Sequence, residues 1–351
     1  MHILILGNMG YVGSAVSQYM RDRFPDARLS GFDSALFAHC LTGNGRVPET
    51  FLDEQLFGDV RDLTPAFFGG VDAVIYLAAI SNDPMGKQFA HLTDTVNRAC
   101  CILAADLAAK AGVKHFVLAS SCSVYGAASG LARTEHDDVN PLTAYARSKV
   151  AAEEQLAQIK SEKMAISCLR FATACGFSGR LRLDLVLNDF VAAALGSGRI
   201  SVLSDGTPWR PLIDVRDMAR IMEWAITRSG EHFLVVNAGI NRGNYTVKEL
   251  AEAVADAVPG TEVHINHDAQ PDKRSYKVDF SLLERLAPEH LPRISLSETI
   301  NGLVDGIRKS GILRSGQPPE SLIRLRTLTG FIGAGILDEE LRWTAPDEFI
   351  H

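Results

Sequence analysis

Short apolar runs alternate along the chain with longer segments in which apolar residues recur at helical spacing. The clearest runs lie at 2–6, 27–32, 73–77, 115–119 and 233–237, and small or polar residues follow them. Runs of this length are typical of buried strands, and buried strands separated by helices form parallel sheets. The pattern predicts an α/β fold with a doubly wound parallel sheet, in which ligand groups come from the carboxyl ends of the strands.

The first strand leads directly into a glycine-rich loop and then into a helical pattern. Gly7, Gly10 and Gly13 enclose Tyr11 and Val12 in this loop. A loop of this kind suits a pyrophosphate, because backbone N–H groups and the helix dipole face the anion and missing side chains let it approach. The glycine spacing differs from the commonest dinucleotide fingerprint, and three glycines are also ordinary turn residues. Their position after a strand favours the dinucleotide site.

An aspartate ends the second apolar run. Asp33 lies some twenty residues beyond the last glycine, where a carboxylate can accept hydrogen bonds from the adenosine ribose and would repel a 2′-phosphate. No Arg or Lys follows it directly, so the sequence favours NAD over NADP. The alternative is a turn aspartate.

Two further strand ends supply candidate cofactor contacts. Leu77, Ala78 and Ala79 close the strongly apolar run at 73–77 and would flank a cofactor without crowding it. Asp59 has two interpretations, which the sequence does not separate. It either meets the adenine or caps a helix that begins near Leu63.

A tyrosine and a lysine four residues apart begin an alanine- and charge-rich helical pattern. The spacing places Tyr145 and Lys149 on one helix face. A neighbouring cation favours the phenolate form of a tyrosine, which can then take a proton from a secondary alcohol. By itself the pair also fits a solvated helix. Ser121 and Ser123 follow the run at 115–119 and either hydrogen-bond that alcohol or serve as turn residues.

Composition and charge exclude several classes of protein. The 351 residues carry a net charge of −7, which gives no sign of a nucleic-acid-binding surface. No stretch approaches about eighteen uninterrupted apolar residues, so no membrane span is expected. The apolar start lacks a basic leader and is predicted to be a strand. Six cysteines lie mostly in apolar runs without metal-ligand spacing, which predicts no metal site and a reduced, cytoplasmic location.

These motifs occur together in the order found in one family. The chain resembles the extended short-chain dehydrogenase/reductases, in particular the NAD-dependent nucleotide-sugar epimerase and dehydratase group to which UDP-glucose 4-epimerases belong. The resemblance covers residues 2 to about 310. It rests on the Gly7/Gly10/Gly13 loop, Asp33, Gly58-Asp59-Val60, Leu77-Ala78-Ala79, Asn97, the Ser120-Ser121-Cys122-Ser123-Val124-Tyr125-Gly126 turn and the segment from Tyr145 to Lys149.

The resemblance implies a division of the chain into three parts. A Rossmann NAD domain is expected at 1–176, with 211–240 contributing to it, and a smaller α/β substrate domain mainly at 177–310. A C-terminal helical extension at 311–351 lies outside the resemblance. It is too apolar to be freely disordered, so we expect it to dock on the body of the protein or on a partner.

Roles for individual residues are also implied by the resemblance. Tyr145 would be the catalytic acid or base, Lys149 would lower its pKa and hold the nicotinamide ribose, and Ser121 would orient the sugar hydroxyl with Ser123 nearby. The implied cofactor set is Gly7, Gly10, Tyr11, Val12, Gly13, Asp33, Asp59, Val60, Leu77, Ala78, Ala79, Asn97, Tyr145 and Lys149, in which Asn97 would lie in the hydrogen-bond network of the cofactor domain. The implied substrate set is Ser81, Ser121, Thr173, Asn188, Arg210 and Arg274. In that set the two arginines would bind the diphosphate, although any single arginine is also an ordinary surface charge.

Two departures from the family pattern narrow the expected chemistry. The 4,6-dehydratases carry Thr-Asp-Glu where this chain has Ser121-Cys122-Ser123, so the acid and base that eliminate water are missing. Thr173 and Cys175 stand where the family usually has Asn and Tyr. That loop faces the substrate in the family, which implies an unusual sugar or pose.

The sequence therefore favours an NAD-dependent enzyme that oxidises the C4 hydroxyl of a nucleotide-activated sugar with Tyr145 as base. Return of hydride to the other face makes a 4-epimerase, release of the ketone a dehydrogenase, and the reverse reaction a ketoreductase. A substrate without a nucleotide is a further alternative. A non-catalytic NAD-binding sensor is the alternative from another class, although such proteins usually lose the Tyr or the Lys. Family habit also implies a homodimer that pairs helices at 91–111 and 145–160.

Overall fold

The computed structural model describes residues 1–43, 45–128, 130–161, 163–269, 274–313 and 318–344. Its strands are β1 (His2–Leu6), β2 (Arg28–Asp33), β3 (Glu54–Phe57), β4 (Ala73–Tyr76), β5 (His115–Ser121), β6 (Ala165–Phe171), β7 (Thr173–Cys175), β8 (Arg199–Val202), β9 (Trp209–Asp214), β10 (Phe233–Ala238), β11 (Asn244–Thr246) and β12 (Glu262–Ile265).

The α-helices are α1 (Tyr11–Arg23), α2 (Asp83–Gln88), α3 (Ala90–Asp94), α4 (Cys100–Ala111), α5 (Ala144–Leu156), α6 (Val186–Ser197), α7 (Val215–Thr227), α8 (Val247–Ala257), α9 (Ser281–Leu286), α10 (Leu296–Ser310) and α11 (Arg324–Gly333). A π-helical turn, Thr95–Ala99, joins α3 to α4. Short 3₁₀ helices lie at Pro48–Phe51, Val60–Asp62, Pro65–Phe68, Cys122–Tyr125, Asn241–Gly243, Pro288–His290 and Glu320–Leu322.

Within the described ranges, seven parallel strands form the central sheet in the order β10-β6-β5-β4-β1-β2-β3. This confirms the predicted α/β fold. The strand order reverses direction between β1 and β4, and in open α/β sheets ligands bind in the crevice at such a point. The loop after β1 and the end of β4 therefore meet where a cofactor is expected.

Alternate side chains of β1 enter two different cores. Ile3 and Ile5 pack with Val16 and Met20 of α1, whereas Leu4 and Leu6 pack with residues such as Phe116 on the other face of the sheet. Because successive strand residues point to opposite faces, a strand buried on both sides needs a continuous apolar run. Burial of β1 on both faces therefore explains the continuous apolar run at 2–6.

Two smaller sheets lie beyond the central one. β11, β9 and β7 form one, and β12 pairs in parallel with β8 in the other. The chain returns to the central sheet at β10, which pairs with β6 from Phe233 opposite Ile166 to Ala238 opposite Phe171. The segment 211–240 thus contains most of β9, which belongs to the three-stranded sheet, and all of β10, which belongs to the central sheet.

One predicted helix is absent in the expected form. The segment after Asp59 contains only the 3₁₀ turns Val60–Asp62 and Pro65–Phe68, so the prediction of a helix that begins near Leu63 is wrong. Pro65 lacks a backbone N–H, and Gly69 and Gly70 follow, which disfavours a longer helix.

The C-terminal segment, residues 318–344, packs on the body of the protein. Leu328, Leu337 and Leu341 form an apolar cluster with residues of the segment between β4 and α3, namely Ile80, Met85 and Phe89, and with Leu92 of α3. The sequence had left open whether this segment docks on the body or on a partner.

All six cysteines are buried free thiols. No helix in the described ranges is both long and apolar enough to cross a membrane. Among the described residues, no group of three or more His, Cys, Asp or Glu side chains is arranged to hold a metal ion.

Candidate active site

A cleft of about 870 Å³ opens at the carboxyl ends of the parallel strands. Most of the predicted site residues line it: Gly7, Gly10, Tyr11, Val12, Gly13, Asp33, Asp59, Val60, Leu77, Ala78, Ala79, Ser81, Ser121, Ser123, Tyr145, Lys149, Thr173, Arg210 and Arg274. Asn97 and Asn188 are buried behind its wall. The sheet thus brings together groups that are far apart in the sequence.

The glycine loop leaves no room for side chains. A Cβ on Gly7 would lie 2.5 Å from the backbone nitrogen of Ala78, and one on Gly13 would lie 2.5 Å from the carbonyl oxygens of Gly7 and Asn8. Gly7 also has φ +91°, which glycine adopts readily. Helix α1 begins at Tyr11 without an acidic residue in its first turn. A diphosphate at this helix start would meet backbone N–H groups and the positive end of the helix dipole.

Asp33 is fixed by the backbone on both sides of its carboxylate. Its Oδ2 accepts a hydrogen bond from the Met9 N–H at 3.0 Å and its Oδ1 accepts one from the Ala35 N–H at 2.8 Å. Burial nevertheless raises the pKa of Asp33 to about 6. The carboxylate at the end of β2 keeps lone pairs for the hydroxyl groups of a ribose.

Asp59 lines the cleft and also caps a helical turn. Its Oδ1 accepts a hydrogen bond from the Arg61 N–H at 2.8 Å, and its Oδ2 lies 2.6 Å from the Arg61 guanidinium. The two interpretations of Asp59 are therefore compatible. The turn that it caps begins at Val60 and is a 3₁₀ helix.

Tyr145 and Lys149 lie on the first turns of α5, which Thr143 caps by accepting a hydrogen bond from the Ala146 N–H at 3.1 Å. The Lys149 Nζ donates a 2.7 Å hydrogen bond to the carbonyl oxygen of Ala119. It also lies 5.7 Å from the centroid of the Tyr145 ring. Lys149 is almost fully buried, and this burial lowers its pKa to about 8.

The expectation that Tyr145 has a lowered pKa is wrong for the protein chain alone. Burial raises the pKa of Tyr145 to about 12, while a hydrogen bond with Ser121 and the charge of Arg182 act in the opposite direction. Asp83 adds to the upward shift. The cost of ionising a buried phenol outweighs the effects of Arg182 and Ser121.

Arg182 is a cleft residue that was missing from the predicted set. It is only 7% exposed, and its Nη1 donates a 2.7 Å hydrogen bond to the hydroxyl oxygen of Ser81. Its guanidinium also pairs with Asp184 through two contacts of 2.9 and 3.0 Å. The signal in the sequence is an alternation of charged residues and leucines from Arg180 to Leu185, which does not reveal the proximity of Arg182 to Tyr145.

The resemblance implied that Asn97 belongs to the hydrogen-bond network of the cofactor domain, and the structure shows such a network. It accepts a hydrogen bond from the Ile80 N–H at 2.9 Å and donates to the Ile80 carbonyl oxygen at 3.1 Å and to the Ser148 hydroxyl at 3.1 Å. It therefore ties the loop after β4 to α5. A buried amide must satisfy its polar atoms, and here other parts of the chain do so.

Asn188 was predicted to contact the substrate and is likewise a brace. It accepts a hydrogen bond from the Gly176 N–H at 3.0 Å and donates to the Tyr11 hydroxyl at 3.1 Å and to the Arg182 carbonyl oxygen at 2.9 Å. It holds the start of α1 against the segment that carries Arg182. The prediction of a substrate contact is thus corrected, because the hydrogen-bond partners of Asn188 are other parts of the protein chain.

Two arginines that contact each other line the cleft. Arg274 forms a 2.6 Å ion pair with Asp83, and the Arg210 guanidinium donates to the carbonyl oxygens of Trp209 and Arg274. Both side chains line the cleft, as predicted for a pair of diphosphate contacts. Their role stays a prediction.

At the end of β5, two serine side chains face the cleft, whereas the cysteine between them is buried away from it. Ser121 and Ser123 line the cleft, and the Ser123 hydroxyl is a buried group without a hydrogen-bond partner among the described residues. The Cys122 thiol is buried outside the cleft and donates to the Arg170 carbonyl oxygen at 2.9 Å. Burial holds the pKa of this thiol well above its ordinary value.

Comparisons with known proteins agree with this geometry. Residues 3–239 match the model of the NAD dependent epimerase/dehydratase family. The low-salt glycan biosynthesis protein Agl12 of Haloferax volcanii is 25% identical over 317 residues, which cover 87% of this chain and 98% of that protein. UDP-arabinose 4-epimerase 1 of Arabidopsis thaliana is 24% identical over 76% of this chain and 69% of its own length.

A solved structure shows the same fold. The UDP-glucose-4-epimerase of Stenotrophomonas maltophila, with bound NAD and formylated UDP-arabinopyranose, superposes with a TM-score of 0.75 at 21% identity. The superposition covers 90% of this chain and 99% of the epimerase.

Proposed function

Because this chain belongs to the NAD dependent epimerase/dehydratase family and is therefore an NAD-dependent enzyme, we propose that it is a 4-epimerase of a nucleotide-activated sugar. The observation that carries the proposal is the position of Tyr145. It lies in the cleft next to Lys149, and a hydrogen bond with Ser121 and the charge of Arg182 both lower its pKa.

The residues at one end of the cleft fit NAD. The Gly7 loop leaves room for the pyrophosphate, Asp33 can accept the adenosine ribose hydroxyls and repel a 2′-phosphate, and Lys149 can hold the nicotinamide ribose. When bound, NAD accepts a hydride from a substrate carbon and can return it.

Proton transfer falls to Tyr145. As the C4 hydroxyl loses its hydrogen, the Tyr145 oxygen takes the proton, and it gives the proton back when the alcohol forms again. The pKa of Tyr145 lies at about 12 in the chain alone, so its phenolate depends on the charge of Arg182 and on the hydrogen bond with Ser121, which both lower that pKa. Ser121 lies on the same side and can orient the hydroxyl.

The opposite end of the cleft fits a diphosphate. The Arg210 and Arg274 guanidinium groups line it, and planar guanidinium groups bind phosphate oxygens in pairs. Asp83 holds Arg274 at 2.6 Å and would have to share it with the ligand. Asp83 also acts on the pKa of Tyr145, so a sugar whose diphosphate is bound by these arginines would lie near Tyr145.

Epimerisation is preferred over dehydration because an acid is missing. Elimination of water from C5 and C6 needs an acid and a base where this chain has Cys122 and Ser123. The Cys122 thiol points away from the cleft and its pKa is raised.

Product analysis tests the proposal. The purified protein is incubated with UDP-, dTDP-, GDP- and CDP-sugars, and the C4 epimers are separated by chromatography while absorbance follows NADH. A pair of C4 epimers without net NADH supports a 4-epimerase. Stoichiometric NADH with a released ketone would replace it with a dehydrogenase, and no turnover of any sugar nucleotide would overturn it.

A further inference from the structure

The C-terminal segment, residues 318–344, lies beyond the region that matches the family and forms part of the cleft wall. Ile323, Arg324, Glu340 and Leu341 line the same cleft as Gly7 and Asp33. We propose that this segment completes the adenosine half of the NAD site and retains the bound cofactor. The inference rests on the use of NAD within the proposed function and is independent of the sugar chemistry.

One contact fixes the segment at the end of β2. The Trp343 indole N–H donates a 2.6 Å hydrogen bond to the carbonyl oxygen of Ser34, the residue after Asp33. The Trp343 ring also contacts Phe331 of α11, with 5.7 Å between ring centroids, and Phe331 contacts His39 at 5.0 Å. Tilted contacts between these aromatic rings therefore hold the segment beside the carboxylate expected to bind the adenosine ribose.

A second contact fixes the segment at the end of β3. Arg342 pairs with Asp62 at 2.7 Å, and the Arg61 guanidinium donates to the Glu340 carbonyl oxygen at 2.8 Å. The same Arg61 holds Asp59 at 2.6 Å. Arg61 thus joins the segment to the residue that the sequence predicted at the adenine.

Leu341 supplies an apolar surface between these two anchors. It is 4% exposed and shares a cluster with Ile80 and Leu92, which line the cleft with it. Its φ of +55° is unusual for a leucine, and it ends a turn in which the Asp338 N–H donates to the Arg342 carbonyl oxygen at 2.9 Å. The flat face of an aromatic ring such as adenine fits an apolar wall of this kind.

The segment is also anchored on the far side of the cleft. Arg324 is 1% exposed and donates to the carbonyl oxygens of Arg180 and Leu181 at 2.8 and 3.2 Å. The Leu183 N–H donates to the Leu322 carbonyl oxygen at 2.9 Å. The segment is therefore attached on both sides of the cleft. Release of the adenosine half of NAD requires the contacts of the segment with Ser34 and Asp62 to break, so we expect NAD to dissociate slowly.

Hydrogen exchange on the unmodified protein tests the adenosine contact. Linkage requires that a ligand held by the segment also stabilises the segment. ADP-ribose, which contains the adenosine half, should slow exchange of the Asp338, Leu341 and Thr344 amides by about tenfold or more at saturation. Nicotinamide mononucleotide, which lacks that half, should leave them unchanged. Equal exchange with and without saturating ADP-ribose would overturn the proposal.

A double variant tests retention. Arg342→Ala with Trp343→Ala removes both anchors, and its NAD dissociation rate should rise about tenfold or more, since aromatic and arginine anchors dominate such contacts. The matched control is Glu320→Ala with Arg326→Ala, which breaks an exposed ion pair of 3.5 Å in the same segment. Equal dissociation rates in the double variant, the control and the unmodified protein would reject retention.

The outcome is separable from that of the proposed function. ADP-ribose binding and NAD release require no sugar turnover. A protein that meets both expectations and converts no sugar nucleotide would refute the 4-epimerase and keep this role of the C-terminal segment.

Discussion

The ammonium group of Lys149 lies 5.7 Å from the centroid of the Tyr145 ring. The helical spacing puts both side chains on one face of α5. The position of the ammonium group is fixed by the central sheet, because Lys149 donates a hydrogen bond to the carbonyl oxygen of Ala119 near the end of β5. The lysine is therefore held beside the tyrosine and is not free to swing into solvent.

Removing the Tyr145 hydroxyl should remove the proton acceptor alone. Tyr145→Phe is expected to lower turnover of the sugar nucleotide by about a hundredfold or more, the range of general acid–base catalysis. NAD binding should persist, because the glycine loop and Asp33 are unchanged. Steady-state kinetics and NAD titration measure the two effects. Tyr19→Phe is the control, since the Tyr19 hydroxyl donates to Glu223 outside the cleft; a Tyr145→Phe protein as active as this control would exclude Tyr145 as the base.

Replacing Lys149 should stabilise the protein while it abolishes activity. Burial lowers the pKa of Lys149 to about 8 from the ordinary 10.5, so between these pH values the unfolded chain binds more protons and stability rises with pH. Lys149→Met removes this slope. At pH 7 it should gain on the order of 2 kcal/mol, because relief of the buried charge exceeds the lost hydrogen bond.

Urea unfolding at pH 7 and pH 10 measures this effect. Lys110→Met, at an exposed position of α4, is the control and should change stability little. A Lys149→Met protein that is less stable than the unmodified chain at pH 7 would contradict the lowered pKa.

The raised pKa of Asp33 predicts a pH dependence of NAD affinity. Burial raises this pKa to about 6, so the carboxylate becomes protonated as pH falls through 6 and loses acceptor capacity toward the ribose. NAD affinity should fall in the same window, and Asp33→Asn should bind NAD about tenfold more weakly with no such dependence. Titrations between about pH 5 and 8 test this, with exposed Asp26→Asn as control; a parallel pH dependence in Asp33→Asn would point to another group.

The same shift has a consequence for stability without ligand. The folded chain binds more protons at Asp33 than the unfolded chain between the ordinary pKa of 3.8 and about 6. The contribution of Asp33 to stability is therefore largest at low pH and decreases as pH rises through this window. Asp33→Asn should remove that decrease, which thermal unfolding at several pH values would detect.

Arg182 should act on Tyr145 through its charge. It lowers the pKa of Tyr145, so Arg182→Gln should raise that pKa and move the ascending limb of the kcat/KM profile to higher pH. Arg182→Lys keeps the positive charge, so the ascending limb of its kcat/KM profile should lie closer to the pH of the unmodified protein. A uniform loss of activity in Arg182→Gln at every pH, without a moved limb, would leave Arg182 with a structural role through Ser81 and Asp184.

Much of the fold and part of the site follow from local sequence patterns. Apolar runs locate the central strands, and the carboxyl ends of parallel strands meet at one edge, so Gly7, Asp33, Ala78 and Ser121 were expected near one another. The Tyr145 and Lys149 pair follows from helical spacing. The 3₁₀ turns after Asp59 were missed because a cap signal does not fix the length of the helix that it begins.

Tertiary structure decided the rest. The amides of Asn97 and Asn188 bond to distant parts of the chain, Arg182 meets Ser81 across 101 positions, and Trp343 meets Ser34 across 309. Sequence periodicity records which residues face a core and where a strand ends. It does not record which distant backbone atom a buried polar group will reach, because packing of separate segments sets that distance. By itself the sequence therefore determined the sheet, the glycine loop and the spacing of Tyr145 and Lys149, while only the folded chain set the surroundings of Tyr145 and placed the C-terminal segment beside Asp33.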